Sequence, residues 1–263
     1  MNEFEDKRQN PDSLLSEIIH EEIKNQKGKL RVFFGMCAGV GKTYSMLEAA
    51  QAALKDGVDV VIGLVESHNR IETEELAKGI EKIPLKKNEY RGTFLNEMDL
   101  DAILERKPKI VLVDELAHTN VPGSRHIKRY QDVLEILGNG IDVFTTLNVQ
   151  HIESRSDTVR QITGAAIRET VPDSIFEKAD EVELVDITPD ELLKRLAEGK
   201  VYTPEQSRHA IQNFFRKGNI TALREMALRI TAERVDKQLR DYKSTNRIDS
   251  TWKSAQRLMV AVS

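Results

Sequence analysis

A strand–loop–helix segment near the start of the chain constrains the possible folds more than any other feature. The apolar run Leu30–Phe34 predicts a buried strand, and the small-residue sequence GMCAGVGKT follows it at positions 35–43. Apolar residues then recur at helical spacing from Lys42 to Ala53. This order is typical of a phosphate-binding loop (P-loop), because glycines allow close backbone approach and the helix N-terminus attracts an anion.

The residues of this loop have separate predicted roles. Lys42 places a compact positive charge near the outer phosphates, and the Thr43 hydroxyl is a predicted ligand for Mg²⁺. Gly35 stands one residue earlier than the common spacing G-x-x-x-x-G-K-[ST] requires, and Met36 occupies that place. A structural glycine turn is the alternative interpretation. The residues predicted to contact the nucleotide here are Gly35, Cys37, Ala38, Gly39, Val40, Gly41, Lys42, Thr43 and Tyr44.

An acidic pair follows the third buried strand that the sequence predicts. The strand begins at Lys109, and Asp114 and Glu115 stand at its end. Asp114 is predicted to hold Mg²⁺, usually through water, and Glu115 to orient or deprotonate an attacking nucleophile. Many strands end in acidic residues, so the pair indicates a nucleotide site only because a Gly-Lys-Thr loop lies upstream of it. If the site is catalytic, Lys42, Asp114 and Glu115 are the predicted catalytic residues.

Polar residues after other strands are further candidates. Those that would sense the outermost phosphate are His118, Arg125 and His126 in the loop after Glu115, and Thr145, Thr146 and Asn148 at the end of the fourth strand. We assign Arg125 and Asn148 to the nucleotide site. Taken singly, these residues equally fit ordinary loop, turn or capping roles. His68 and Arg70, which follow the second strand, fit a solvated loop.

The composition limits the function classes. The chain has 263 residues and a formal charge of −4, so overall electrostatics do not indicate nucleic acid or an acidic membrane surface as a partner. We find no signal peptide and no apolar run approaching ~20 residues, and therefore predict no membrane span in this sequence. The single cysteine, Cys37, cannot form an internal disulfide, which fits a reducing cytosol. We interpret it as a small loop residue rather than a nucleophile.

The order of predicted elements indicates a three-layer α/β domain of the P-loop NTPase type. Its sheet is predicted to be mostly parallel, and its C-terminal part helical. The second and fifth strands are predicted at 58–65 and 180–186, with an extended excursion at 82–98. Helices are predicted at 12–23, 71–81, 130–137, 189–198, 204–216 and 219–242. The sequence does not specify the order of the strands.

Three motifs together resemble one known family. They are GMCAGVGKTY at 35–44, DELAHTNVPGSR at 114–125 and TTLNVQHIE at 145–153. This combination is similar to the N-terminal domain of the KdpD family, the osmosensitive potassium-channel sensor histidine kinases of bacteria. The likeness extends over residues 12–242. Residues 258–263 resemble the first strand of the universal-stress-protein-like domain that follows in that family.

The resemblance implies domain boundaries as well as a function. We expect a disordered N-terminus at 1–11, a KdpD-type ATP-binding domain at 12–242, a linker at 243–257 and a truncated further domain from 258. The implied cofactors are ATP and Mg²⁺, bound on the cytosolic face of the plasma (inner) membrane. The whole protein is implied to be a two-component sensor that controls potassium uptake, with its membrane helices and kinase core beyond residue 263.

Three functional hypotheses remain open at this point. In the first, the domain is a regulatory ATP-binding module whose implied partners are other domains of the same sensor kinase, the potassium uptake system, a cognate response regulator and a second copy in a homodimer. In the second, it is an active NTPase or a kinase directed at a Ser/Thr hydroxyl, which the acid at Glu115 favours. In the third, its C-terminal helices form a protein-interaction platform.

Overall fold

The part of the chain that the computed structural model describes comprises residues 27–67, 70–201, 214–246 and 248. The disordered stretch expected at 1–11, the helix predicted at 12–23 and the strand expected at 258–263 lie outside these residues, as do most of the helix predicted at 204–216 and of the linker. Among the described helices, none combines the length and apolarity needed to cross a membrane.

The described residues form eight strands and eight α-helices. The strands are β1 (Leu30–Gly35), β2 (Val60–Leu64), β3 (Glu81–Lys82), β4 (Lys86–Tyr90), β5 (Thr93–Glu97), β6 (Ile110–Val113), β7 (Asp142–Asn148) and β8 (Glu181–Leu184). The helices are α1 (Lys42–Lys55), α2 (Ile71–Ala77), α3 (Leu100–Arg106), α4 (Arg129–Gly138), α5 (Ser156–Thr163), α6 (Asp173–Glu177), α7 (Pro189–Ala197) and α8 (Lys217–Thr245). Two short 3₁₀ turns, Val149–His151 and Glu153–Arg155, follow β7.

Six strands form one sheet in the order β3-β2-β6-β7-β1-β8, and every neighbouring pair in it is parallel. Strand β7 therefore lies between β1 and β6, and its last residue, Asn148, pairs in register with Gly35. Because carboxyl ends of parallel strands meet at one edge of a sheet, this order brings the P-loop, Asp114 and Asn148 to the same edge.

Both faces of the sheet are buried at its four central strands, β2, β6, β7 and β1. In β1, Phe33 points to the face where Met46 and Leu47 of α1 pack, whereas Val32 and Phe34 point to the opposite face. The first face is covered by α1 and α2, and the second by α3 to α8. Helices on both sides of a parallel sheet give three layers, so the predicted fold class is confirmed. Burial on both faces also explains why these strands are apolar runs rather than alternating patterns.

Two predicted helices have other limits in the structure. Helix α2 ends at Ala77 rather than at residue 81, because Gly79 adopts a φ of 81° and the chain then pairs with β2 through β3. Helix α8 continues to Thr245, past the predicted end at 242. The extended excursion predicted at 82–98 is confirmed as the antiparallel β4–β5 hairpin, which is mostly exposed.

A pair of glycine substitutions tests this packing. A Cβ on Gly63 in β2 would lie 2.8 Å from Ile103 Cδ1 and 2.9 Å from Val111 Cγ2, so Gly63→Ala forces a shift inside the core. We expect a loss of about 1–3 kcal/mol in the free energy of unfolding, measured by urea denaturation. Gly138→Ala is the matched control, because no atom lies within 4 Å of that Cβ at the end of α4. It should be neutral or stabilising by up to about 1 kcal/mol. Equal effects at the two positions would contradict the sheet packing.

Candidate phosphate-binding site

A cleft of about 160 Å³ opens at the carboxyl edge of the parallel sheet. One wall is the P-loop and the start of α1, including Ala38, Gly39, Gly41, Lys42, Thr43 and Tyr44. The other wall comes from the segments after β6 and β7, including Asp114, Glu115, His118, Thr146 and Asn148. The structure therefore brings together the two halves of the site that the sequence predicts.

The P-loop backbone adopts the conformation that its glycines allow. Gly39 has a φ of 90° and Gly41 a φ of 107°, both in the region that side chains disfavour. Gly41 caps α1 without a side-chain hydrogen bond, and the first turn of α1 contains no acidic residue. An anion in the cleft would therefore meet the positive end of the helix and its first backbone N–H groups.

Lys42 is buried and points back over the loop. Its ammonium Nζ donates a 2.9 Å hydrogen bond to the carbonyl oxygen of Cys37. Burial lowers the pKa of Lys42 to about 8, with a further decrease from Arg70, while the negative charges of Asp114 and Glu115 oppose that decrease. A phosphate group placed beside this amine would favour its charged form, which is the arrangement a phosphate-binding lysine requires.

Cys37 is fully buried, and burial raises the pKa of its thiol to about 12. A thiol of this kind is unreactive, which agrees with its interpretation as a small loop residue rather than a nucleophile. Cys37, Gly35 and Val40 are not among the residues that line the cleft. A Cβ on Gly35 would lie 2.7 Å from Val40 Cγ2, so the close packing of the loop accounts for the glycine at this position.

Asp114 connects three elements of the fold. Its Oδ2 accepts a 3.0 Å hydrogen bond from the Thr43 hydroxyl at the start of α1, and its Oδ1 accepts one from the Thr146 hydroxyl on β7. The Thr43–Asp114 pair is the one predicted to hold Mg²⁺. A hydroxyl and a carboxylate in contact are the hard oxygen donors that this cation prefers, so the residues present fit the predicted ion.

Glu115 has an unusual backbone. Its φ is 57°, a left-handed conformation that is costly for a residue with a side chain. Its N–H donates to Thr146 Oγ1 at 3.1 Å and to Asp114 Oδ1 at 3.0 Å, which holds the backbone in this conformation. The side chain is about half exposed and lines the cleft. Strained, exposed acids beside a carboxylate of this kind are typical of functional positions.

A buried ion pair between Arg129 and Glu97 contacts the backbone of Asp114. Arg129 donates to the carbonyl oxygen of Asp114 at 3.0 Å and to Glu97 Oε1 at 3.1 Å, and both charged side chains are almost fully buried. Burial alone would raise the pKa of Glu97. The nearby His118, two backbone N–H donors and Arg129 reverse that effect and hold the pKa at about 2. Sequence reasoning missed this pair, because Glu97 falls in the ambiguous stretch before α3.

The remaining predicted residues divide into two groups. His118 and Asn148 line the cleft, and His118 lies 3.7 Å from Glu97 Oε2. Arg125 instead pairs with Asp101 and Glu135. His126 also contacts Glu135, with 2.7 Å between His126 Nε2 and Glu135 Oε2. Neither Arg125 nor His126 is on the cleft wall.

Several cleft residues had no distinctive signal in the sequence. They are Arg70, Thr73, His151 and Glu169. Arg70 was interpreted as a solvated loop residue, but it lines the cleft and donates to the carbonyl oxygen of Val201 at 3.2 Å. His151 Nδ1 lies 2.8 Å from the carbonyl oxygen of Glu169, and burial lowers the pKa of the imidazole.

Comparison with known proteins gives one consistent result. A family model described as "KdpD: Osmosensitive K+ channel His kinase sensor domain" matches residues 26–235. The sensor protein KdpD of Escherichia coli (strain K12) is 51% identical over 255 residues, which cover 97% of this chain and 28% of that protein. The sensor protein KdpD of Clostridium acetobutylicum is 55% identical over 229 residues, covering 87% of this chain and 25% of that protein.

Other matches are shorter or more remote. A putative sensor protein KdpD of Synechocystis sp. is 50% identical over 222 residues, covering 84% of this chain and 60% of that protein. The chain thus spans about a quarter of the first relatives and more than half of this one. A solved structure titled as a DNA replication initiation factor aligns over 89% of this chain and 65% of its own, with a TM-score of 0.31 and 12% identity. We assign neither a fold nor a function from a likeness with so low a TM-score.

The buried pair beneath Asp114 predicts a pH-dependent stability. Because the pKa of Glu97 falls from 4.5 to about 2 on folding, its stabilisation is complete above pH 4.5 and decreases as the pH falls towards 2. Glu97→Gln leaves Arg129 buried without its counter-charge and should cost about 3–5 kcal/mol at pH 7. The difference in unfolding free energy between the two proteins should shrink between pH 4.5 and 3, as measured by urea denaturation. The exposed Glu89→Gln serves as the control, and a pH-independent difference for Glu97→Gln would contradict the assignment.

Proposed function

The chain belongs to the KdpD family of osmosensitive K⁺ channel His kinase sensor domains, and on that premise we propose that it is a regulatory module that binds Mg·ATP. The single observation that carries this proposal is the 3.0 Å hydrogen bond between Thr43 and Asp114. These residues lie far apart in the sequence, yet they meet at the edge of the cleft beside Lys42. This is the pairing that a Mg²⁺–phosphate site needs.

The main polar groups of the P-loop side of the cleft have separate roles in this proposal. The N–H groups of the P-loop and of the first turn of α1 bind phosphate oxygens, and Lys42 moves from the Cys37 carbonyl to the outer phosphates. Thr43 and Asp114 would hold Mg²⁺, which when bound neutralises phosphate charge. Arg70 also lines the cleft and adds positive charge, so the outer phosphates would meet two cations from this chain.

The regulatory part of the proposal follows from the relatives. The E. coli and Clostridium proteins are named sensor proteins, and this chain matches only about a quarter of their length. We place the module on the cytosolic side of a two-component sensor kinase for potassium, with ATP, the kinase's other domains and a response regulator as partners. For ATP to act as a signal, it must bind two conformations of the module with different affinities.

One observation favours a second function, catalysis at the same cleft. Glu115 holds a strained backbone, follows the predicted metal ligand and presents its carboxylate to the cleft. A site that only binds ATP gains nothing from an acid at this position. A carboxylate here is suited to orienting water, or a Ser/Thr hydroxyl, towards the outermost phosphate. The alternative function is therefore an NTPase or a hydroxyl-directed kinase.

The binding proposal is tested with Lys42→Ala and Asp114→Asn. We expect Lys42→Ala to weaken binding of a non-hydrolysable ATP analogue with Mg²⁺ by roughly 10–100-fold in isothermal titration calorimetry, because a charged hydrogen bond to phosphate is lost. Lys55→Ala, at the exposed far end of the same helix, is the matched control.

Asp114→Asn should mainly weaken the binding of Mg²⁺. In the folded variant, the dependence of affinity on Mg²⁺ concentration should become much flatter than in the wild type. Unchanged affinity in folded Lys42→Ala, or an unaltered Mg²⁺ titration in Asp114→Asn, would contradict the assignment of the site.

The catalytic alternative is tested with Glu115→Gln. If the cleft hydrolyses ATP, phosphate release should fall by about 10²-fold or more in this variant, while ATP affinity stays within a few-fold of the wild type. The exposed Glu105→Gln is the control for a change of one charge. Equal phosphate release from the wild type and Glu115→Gln would leave binding alone as the function.

A further inference from the structure

Helix α7 packs directly against the outside of the P-loop. The space that a Cβ of Gly39 would fill is occupied from this side, by Val201 Cγ2 at 2.6 Å and Leu192 Cδ1 at 3.0 Å. Leu192 lies within α7, and Val201 follows it in the chain. The glycine therefore serves this contact as well as the turn, and α7 is part of the structure that fixes the loop.

Arg195 on this helix reaches the loop with its guanidinium. Its Nη1 lies 3.3 Å from the carbonyl oxygen of Val40 and 3.5 Å from that of Gly39. Its Nε donates to Glu191 Oε1 at 3.2 Å, one helical turn earlier, which orients the group. Arg195 is not among the residues that line the cleft, although a Cβ on Gly41, which does line it, would lie 3.6 Å from Arg195 Nη1.

These two contacts have a consequence for the backbone N–H groups. In a trans peptide the C=O and the following N–H point in opposite directions. When the carbonyls of Gly39 and Val40 face Arg195, the N–H groups of Val40 and Gly41 point away from it. Gly39 and Gly41, on either side of Val40, line the cleft, so these two peptides lie at its wall. We propose that Arg195 is a positioning residue, which holds two P-loop peptides in the orientation that binds phosphate.

This inference rests on the proposed function, since an oriented N–H group matters only if the loop binds an anion. It differs from a general electrostatic role. A positive charge near the loop would attract phosphate from any direction, whereas orientation requires hydrogen bonds to these two carbonyls. Replacing the guanidinium with an ammonium group keeps the charge but loses the planar fork whose Nε bonds Glu191 while Nη1 faces the two carbonyls. Arg195→Lys therefore separates the two roles.

The experiment compares Arg195→Ala, Arg195→Lys and Lys194→Ala in the full chain. Lys194 is the exposed neighbour on α7, so its substitution removes the same charge without touching the loop. We expect Arg195→Ala to weaken binding of a Mg²⁺-bound non-hydrolysable ATP analogue by about tenfold in calorimetry. Arg195→Lys should recover only part of that loss, and Lys194→Ala should match the wild type.

A backbone readout completes the test, since a purely structural role would not produce it. Without nucleotide, the ¹⁵N–¹H signals of Val40 and Gly41 should shift in Arg195→Ala, because the carbonyl preceding each N–H loses its donor. With the analogue, the further shift of these two signals should be reduced in Arg195→Ala and retained in Lys194→Ala.

Three outcomes would overturn the proposal: unchanged amide signals in nucleotide-free Arg195→Ala, wild-type affinity in that variant, or full recovery in Arg195→Lys. A wild-type chain that bound no nucleotide would instead remove the proposed function. The nucleotide-free signals would still show whether Arg195 holds the two peptides.

Discussion

The carboxylate of Asp114 is the contact on which the geometry of the cleft depends. It lies directly after β6, yet accepts hydrogen bonds from Thr43 at the start of α1 and Thr146 on β7. Because β7 separates β6 from β1, the carboxylate has to bridge across one strand to reach the P-loop helix. The buried Thr146 hydroxyl completes that bridge, and it also receives the N–H of Glu115. The Asp114 carboxylate thus joins the start of α1, strand β7 and the backbone of Glu115 in one hydrogen-bonded group.

Charge is concentrated at this edge of the sheet at a cost in stability. Lys42, Glu97 and Arg129 are each buried, and burying a charge costs several kcal/mol unless it is paired and hydrogen-bonded. Arg129 and Glu97 offset this cost for each other, and Lys42 has the Cys37 carbonyl. A fold under selection for stability alone would replace such groups with apolar ones. Buried charges beside a strained residue such as Glu115 are typical of functional sites, which agrees with the proposed function.

Part of this site was predictable because it depends on local order in the chain. Strand, glycine loop and helix are adjacent in sequence, so the placement of Lys42 and Thr43 followed from that order. Asp114 followed from its position at the end of an apolar strand downstream of the Gly-Lys-Thr loop. The insertion of β7 between β1 and β6, the pairing of Arg125 away from the cleft and the reach of Arg195 to the loop depend on tertiary packing. No short motif records them, because each joins segments that only the complete sheet brings together.

Under the proposed function, the contacts of Val201 connect the cleft to the residue that follows α7. Its side chain packs on Gly39 of the P-loop, and its carbonyl oxygen accepts a hydrogen bond from Arg70 on the cleft wall. A phosphate is a stronger acceptor for a guanidinium than a neutral carbonyl, because the bond is charge-assisted on both sides. Nucleotide in the cleft would therefore compete with Val201 for Arg70, whereas an empty cleft would favour the carbonyl. That difference in energy between two states is what the proposed regulatory module requires.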